Sequence, residues 1–222
     1  SESYFADIDQ NSKRLHNWYD RSVYIRHALT EANSDIFCLQ EIDKEYGMLS
    51  TLDLKKSLPD HKYVISITGK SNDKPCQCAI VYNANKFKLE DNKSVKEIWN
   101  GCRFIIGRFI HIESNKRFCI VSLDCKNGQN ESKEAKRVKQ LEKLFKFFEE
   151  FGDAYVYLMC GSFYSDPQLA SRTHGKYTFQ NKVHSKMESN GFKNISGYDI
   201  TYHGWTPCTF DYIYSRSSSQ SK

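Results

Sequence analysis

The chain has 222 residues, of which 39% are hydrophobic and 14% aromatic, and its formal net charge is +5 at pH 7. This length and apolar content suit one domain with a sizeable core, or at most two small ones. The charge permits nucleic-acid binding without requiring it, because strongly basic binders show a dense basic stripe. There is no apolar run of about 18 residues and no signal-peptide segment at the N-terminus, so we expect no membrane contact and an intracellular location, cytoplasmic or nuclear.

The eight cysteines are scattered, and several lie inside apolar runs such as DIFCLQ, RFCIVSL and YLMCG. Such positions predict reduced core cysteines, as in an intracellular protein, with disulfides as the alternative. Cys76, Cys78 and Cys102 form an alternative zinc set, although no second Cys-x-x-Cys or His pair has the usual spacing.

In the first half of the chain, a helix is predicted first and short strands follow. Apolar or small residues recur at spacings of three and four along one helical face that ends near 33–34: Leu15, Trp18, Ser22, Ile25, Leu29 and Ala32. The apolar run 35–39 is typical of a strand buried on both sides. Further strands are predicted at 63–67 and 78–82, and a β-hairpin at 104–112 and 118–123.

The second half begins with a predicted amphipathic helix at 133–151. Its apolar stripe is Ala135, Val138, Leu141, Phe145 and Phe148, with lysines opposite, and a Glu142–Lys146 pair at i,i+4 supports it. A strand at 154–160, a short helix at 182–189 and a last strand at 210–214 follow. The segment 215–222 is low in complexity and is predicted to be a disordered tail after one domain, residues 1–214.

This order of elements suggests two sheets packed face to face with helices outside, although periodicity alone also allows a three-layer α/β fold. Motifs decide between them. The segment DIFCLQEID at 35–43 resembles the first metal-site motif of the endonuclease/exonuclease/phosphatase (DNase I-like) superfamily. Four more landmarks follow in family order: CAIVYN at 78–83, VSLDCK at 121–126, MCGSFYSDP at 159–167 and FDYIYS at 210–215.

The helix around Trp18 and Arg21 is most similar to the nocturnin and carbon-catabolite-repressor deadenylase branch of that superfamily. The resemblance covers residues from about 4 to 214. It implies a four-layer α/β sandwich of two mostly antiparallel sheets with helices outside, here without the family's closing C-terminal strand. An unrelated α/β interaction domain is the remaining alternative.

The resemblance also implies a set of site positions, most of which are substituted. Glu41 matches the family's Mg²⁺-binding Glu, whereas the metal-binding Asn of the first strand falls near Phe5 or Ala6. A family His aligns with Asp124. In the family's GDFN turn, Ser162 replaces the Asp that orients the nucleophile, and Tyr164 replaces the Asn that holds the phosphate. Asp211 is retained, but no His follows His203 to be oriented by it.

These substitutions predict strongly impaired catalysis, since removing one positioned acid, base or charge-stabilising group costs roughly 10² to 10⁴ in rate. Glu41 alone would bind Mg²⁺ weakly, because that cation prefers several oxygens. Each residue also has a purely structural interpretation: Glu41 as a solvated carboxylate, Asp124 as a turn residue, Asp211 as a turn cap and Tyr164 as a packed aromatic.

Nucleic-acid contacts have their own candidates, namely Lys136, Arg137, Lys139 and Lys143 on the long helix and Trp205 in the loop before the last strand. Because glutamates are interleaved with these lysines, a solvated helix face is the default interpretation. No pair of the seven histidines has catalytic spacing, and none is assigned a role.

The sequence therefore predicts a catalytically inactive or strongly impaired nuclease-like domain that binds protein partners, with RNA as a second class of ligand. No cofactor is expected. The alternative is an active Mg²⁺-dependent 3′-exoribonuclease, deadenylase or phosphodiesterase with a site rebuilt around Glu41, Asp124 and Asp211.

Overall fold

The computed structural model describes residues 18–43, 54–65, 76–94, 103–151, 154–168, 182–197 and 211–218. The helices in these ranges are α1 (Trp18–Ala32), α2 (Leu54–Ser57), α3 (Glu131–Phe151) and α4 (Lys182–Ser189). The strands are β1 (Ile36–Asp43), β2 (His61–Ile65), β3 (Cys76–Asn83), β4 (Phe87–Ser94), β5 (Arg103–His111), β6 (Lys116–Asp124), β7 (Val156–Ser162), β8 (Lys193–Asn194) and β9 (Asp211–Ser217).

The strands form two sheets. The larger has six strands in the order β4-β5-β6-β7-β9-β8, and the smaller has three in the order β1-β3-β2. Every pairing is antiparallel except β6 with β7, which is parallel. The parallel pair is joined by α3, as expected, because parallel neighbours need a long crossover.

Three apolar clusters hold four layers together. Between the two sheets lie Cys78, Ile80, Ile105, Phe109 and Ile120, all fully buried. The other face of the large sheet packs against α3 and α4, and the outer face of the small sheet packs against Leu29 of α1. This is the predicted four-layer α/β sandwich, with two mostly antiparallel sheets inside and helices outside.

Most predicted elements are confirmed with small shifts of their ends, including the hairpin β5–β6 and the helix α4. The strand β4, at one end of the large sheet's strand order, was not predicted, because its sequence FKLEDNKS lacks a continuous apolar alternation. The last strand extends to Ser217, so the prediction of a tail from residue 215 was wrong for residues 215–217. Their backbones pair with β7, and Ser215 also pairs with β8.

The inner face of α3 differs from the prediction. Ala135 is exposed, whereas Glu134 and Arg137 are buried with 1% and 0% of their surfaces exposed. The guanidinium of Arg137 donates to Glu134 Oε2 from Nη2 at 2.7 Å and from Nε at 3.0 Å. An internal ion pair therefore takes a place that the apolar periodicity assigned to Ala135. Glu142 pairs with Lys186 of α4 at 2.9 Å, where the sequence predicted Lys146.

Cys78, Cys119 and Cys125 are buried, as predicted for core positions, and no disulfide joins the cysteines whose side chains are described. Cys102 and the side chain of Cys76 lie outside the described residues, so the zinc alternative is untested. No helix in the described ranges is both long and apolar enough to cross a membrane.

Candidate functional site

Four polar residues form a row across the large sheet at one end of its strands. Arg103 of β5 lies opposite Asp124 of β6, which lies opposite Ser162 of β7, which in turn lies opposite Asp211 of β9. Residues directly opposite each other point to the same face, and neighbouring strands are about 4.8 Å apart. The resemblance placed three of these residues at one site, and the strand register brings them together.

Glu41 reaches the same place from the small sheet. It lies in β1 at a register shift between Leu39 and Ile42, and its backbone φ is +57°. A non-glycine residue in this left-handed region is uncommon, and such strain clusters at functional sites. The side chain is exposed, whereas the strand on either side is buried or half-buried.

Asp124 is a buried acid in the space between the row and Glu41, which we call the acid cleft. It ends β6, its side chain is only 8% exposed, and its Oδ1 is buried without a hydrogen-bond partner. Burial, followed by the charges of Glu41 and Asp211, raises its pKa from 3.8 to about 7, while Arg103 acts in the opposite direction. The interpretation of Asp124 as a turn residue was therefore wrong, because this carboxyl lies in a strand and faces the cleft.

Tyr164 closes the row two residues after Ser162. Its φ is +48°, and its carbonyl accepts a hydrogen bond of 2.7 Å from Gln129 Nε2. Its half-buried ring packs against the apolar cluster between the large sheet and the helices α3 and α4. The phenol hydrogen-bonds with Ser162. Burial and then the charges of Asp124, Glu41 and Asp211 raise the pKa of the Tyr164 phenol. The aromatic group therefore lies beside the carboxylates.

A polar seam beneath the cleft joins the two sheets. Gln40 Nε2 donates to Ser122 Oγ at 2.9 Å, and Ser122 Oγ donates to the carbonyl of Leu39 at 3.0 Å. These bonds fix β1 against β6 and so hold Glu41 near Asp124. Neither Gln40 nor Ser122 was predicted as a site residue. The sequence offered one indication of them, because both are polar residues inside apolar strands, the Gln of LQE and the Ser of VSLD.

The donors suit a hard cation such as Mg²⁺, which prefers carboxylate oxygens and water. Their arrangement does not form a ready-made cage: no group of three His, Cys, Asp or Glu side chains in the described ranges is placed to hold a metal ion. Among the described residues of the site, the buried Oδ1 of Asp124 has no hydrogen-bond partner and would be satisfied by a proton or a cation. The residues thus fit the family's Mg²⁺ only in part.

The basic residues of α3 lie away from this cleft, because α3 packs on the opposite face of the large sheet. Lys139 is exposed, and Lys136 and Lys143 are half-buried. Arg137 cannot contact a partner at the surface: besides pairing with Glu134, it donates to the carbonyls of Lys126 and Gly128 at 2.8 and 2.7 Å. Its assignment as a nucleic-acid contact was wrong, since the periodicity of α3 does not distinguish a buried Arg from an exposed one.

Other candidates lie outside the described residues, namely Phe5, Ala6 and Trp205. The histidines were given no role, and His184 is in fact buried beneath β9. Its ring contacts Tyr212 edge-on at 4.7 Å between centroids, which places it in the core on the far side of the sheet from the row.

Comparison with known proteins agrees with this architecture. A family model described as the endonuclease/exonuclease/phosphatase family matches residues 9–220, and the chain belongs to that family. None of the curated proteins matches the sequence.

Several solved structures share the fold at low identity. An endonuclease/exonuclease/phosphatase family protein from Bacteroides thetaiotaomicron is 18% identical with a TM-score of 0.69, covering 93% of this chain and 76% of that one. The human Nocturnin catalytic domain with bound sulfate is 19% identical with a TM-score of 0.65, covering 90% and 76%. ANGEL2, a 2′,3′-cyclic phosphatase bound to adenosine-2′,3′-vanadate, is 16% identical with a TM-score of 0.70, covering 94% and 80%.

Proposed function

We propose that this member of the family cleaves phosphate esters poorly or not at all, and that its domain serves as a binding module for protein partners. The observation that carries the proposal is the Ser162–Tyr164 pair. Both lie in the cleft where the resemblance calls for an Asp and an Asn, and the phenol hydrogen-bonds with the Ser162 side chain beside the acids.

The chemistry of these two residues supports the proposal. The hydroxyl of Ser162 carries no charge with which to orient or deprotonate water, and a group in that role contributes roughly 10² to 10⁴ in rate. The Tyr164 ring is larger than an Asn side chain and offers a phenol to a phosphate. Its positive φ, held by the Gln129 bond and the core, keeps the ring in this place.

A second function has an observation in its favour. Glu41 and Asp211 lie close enough to Asp124 for their charges to raise its pKa, and Asp124 Oδ1 lacks a hydrogen-bond partner. Glu41 and Asp124 would then hold Mg²⁺, which neutralises charge on a phosphoryl group. On this alternative the chain is an Mg²⁺-dependent phosphodiesterase, 3′-exoribonuclease or deadenylase. The sequence resemblance to deadenylases suggests RNA 3′ ends as substrates to test, and the ANGEL2 structure suggests 2′,3′-cyclic phosphates.

The deciding experiment incubates the purified chain with end-labelled poly(A), mixed-sequence RNA, single-stranded DNA and an RNA ending in a 2′,3′-cyclic phosphate, in Mg²⁺ and in Mn²⁺. We expect no product above a no-enzyme blank. Product that disappears in the Glu41→Ala variant would overturn the binding-module proposal and establish the rebuilt site.

A gain-of-function pair sharpens the test. The double variant Ser162→Asp/Tyr164→Asn returns the two family residues to the cleft, and we expect cleavage to rise by about 10² or more over the unmodified chain. The matched control makes the same two changes at exposed positions, Ser132→Asp/Tyr24→Asn, and should not cleave. Equal rates in the unmodified chain and the cleft variant would show that these residues do not limit catalysis.

A further inference from the structure

A groove of about 550 Å³ lies where α3 meets α4, on the side of the large sheet away from the acid cleft. We call it the lysine groove, because Lys139, Lys143 and Lys146 of α3 and Lys186 of α4 line it. Its volume is within the range of about 300 to 1,000 Å³ in which proteins hold ligands. The cleft and this groove are separate surfaces.

The groove is positively charged but not uniformly so. Glu142 and Glu149 line it together with the four lysines, which leaves two more positive than negative charges. Lys186 Nζ lies 2.9 Å from Glu142 Oε1 and joins the two helices. The three lysines of α3 are spaced four and three residues apart, so they follow one stripe about 10 Å long at 1.5 Å per residue.

One aromatic residue lines the groove among the charged ones, and it is held in place by packing. This residue is Phe145, which is 8% exposed, and its ring stacks on Phe192 with centroids 5.8 Å apart. An apolar side chain from a ligand could rest on this ring while charged groups on either side face the lysines. A rigid apolar anchor site beneath a charged rim is the usual anatomy of a peptide-binding surface.

We propose that the lysine groove binds an acidic segment of a partner protein, with one apolar side chain over Phe145 and carboxylates facing the lysines. This inference rests on the proposed binding function and names the kind of partner. Charge complementarity favours an acidic ligand, and two features favour a peptide over a nucleic acid. Glu142 and Glu149 interrupt the lysines, which disfavours a nucleic acid with a charge on every unit and suits a peptide whose acidic residues are spaced by neutral ones. Arg137, whose guanidinium would match a phosphate in two contacts, points into the core.

The test measures fluorescence anisotropy of a labelled twelve-residue peptide in which Asp and Glu alternate with Ser around one central Leu. The double variant Lys139→Glu/Lys143→Glu reverses two groove charges, and we expect its affinity to fall by about tenfold or more. The matched control, Lys62→Glu/Lys88→Glu, makes the same charge change at exposed positions of β2 and β4 and should stay within about twofold of the unmodified chain. Replacing the peptide's Leu by Ser should also weaken binding.

Equal weakening in both double variants would overturn the proposal, because binding would then follow net charge alone. A labelled twelve-nucleotide RNA that binds more tightly than the peptide, and is lost in the groove variant only, would overturn it in favour of a nucleic-acid site. Cleavage by the unmodified chain would refute the binding-module proposal independently, and the anisotropy result would still report on the groove.

Discussion

Each face of the large sheet buries a carboxylate, and the two carboxylates differ in whether their charge and oxygens have partners. On the helix side, Glu134 is 1% exposed, pairs with Arg137, and accepts hydrogen bonds at Oε1 from Ser165 Oγ at 3.0 Å and from the backbone N–H of Val183 at 2.8 Å. On the cleft side, Asp124 is 8% exposed, and its Oδ1 has no partner.

The difference separates a structural acid from a candidate functional one. Glu134 joins α3, the loop after β7 and the start of α4, and its charge is balanced by a guanidinium at 2.7 Å. Asp124 instead faces two further carboxylates, and its charge is opposed by burial. Buried polar groups are normally satisfied, so an exception at a family site position points to a ligand or a proton.

The largest loss of stability is expected from breaking the buried ion pair of Glu134 and Arg137. Glu134→Gln leaves the buried Arg137 charge uncompensated and should lower the free energy of unfolding by about 3 to 5 kcal/mol, measured by urea denaturation. The double variant Glu134→Leu/Arg137→Met should lose less than the sum of the two single changes, since it removes both charges together. A loss below about 1 kcal/mol for Glu134→Gln would show that the pair is not buried in solution.

The unsatisfied acid should behave in the opposite way. A carboxyl whose pKa is raised on folding contributes stability below its unfolded value, and this is lost as pH rises from about 4 to about 7. Asp124→Asn removes the penalised charge, so at pH 8 it should raise the free energy of unfolding by up to about 4 kcal/mol. At pH 4 it should have little effect.

Urea titrations at both pH values measure this change, with Ser162→Ala as a neighbouring control that leaves the Asp124 charge in place. A destabilised Asp124→Asn protein at pH 8 would show that the ionised carboxylate is well stabilised in the cleft. Added Mg²⁺ or Mn²⁺ that stabilises the unmodified chain but not the variant would favour the rebuilt metal site.

On the helix side, His184 is expected to give a smaller dependence of stability on pH, of opposite sign to that of Asp124. Burial lowers the pKa of His184, while Glu134, Asp166 and Glu188 act against that shift. Its Nε2 lies 2.8 Å from the carbonyl of Ser165, and its Nδ1 hydrogen-bonds with the hydroxyl of Tyr214.

Since the folded pKa of His184 is below 6.5, this residue contributes stability above pH 6.5 that is lost as pH falls through the folded value. An NMR titration of the His184 ring, run in the Asp124→Asn background to remove the opposing slope, should give a midpoint below 6.5. A midpoint at or above 6.5 would contradict the burial of His184.

The smallest change in stability is expected from breaking a partly exposed ion pair, in contrast to the buried pair of Glu134 and Arg137. Lys186 and Glu142 are 30% and 47% exposed, so Lys186→Ala should change the free energy of unfolding by less than about 1 kcal/mol. Urea denaturation at two salt concentrations checks this value. A larger, salt-insensitive loss would mean that the pair is structurally more important than its exposure suggests.

Much of the fold followed from local pattern. The apolar runs of β1, β3, β6 and β7 and the hairpin at β5 and β6 were predicted, because period and turn residues are properties of short segments. The resemblance also placed Asp124, Ser162 and Asp211 at one site, and the strand register makes them neighbours. The charged strand β4 was missed, since it pairs with β5 without an apolar period of its own.

By itself, the sequence determined most helices and strands, and through its motifs it predicted the four-layer architecture and the residue types at the family's site positions. Only the tertiary structure decided which charges are buried. Arg137 and Lys139 are two residues apart on one helix, yet the first is enclosed and the second exposed. Burial and the pKa of Asp124 depend on groups far apart in the chain, such as Glu41 and Asp211. Desolvation and charge interactions act through space, so no local pattern records them.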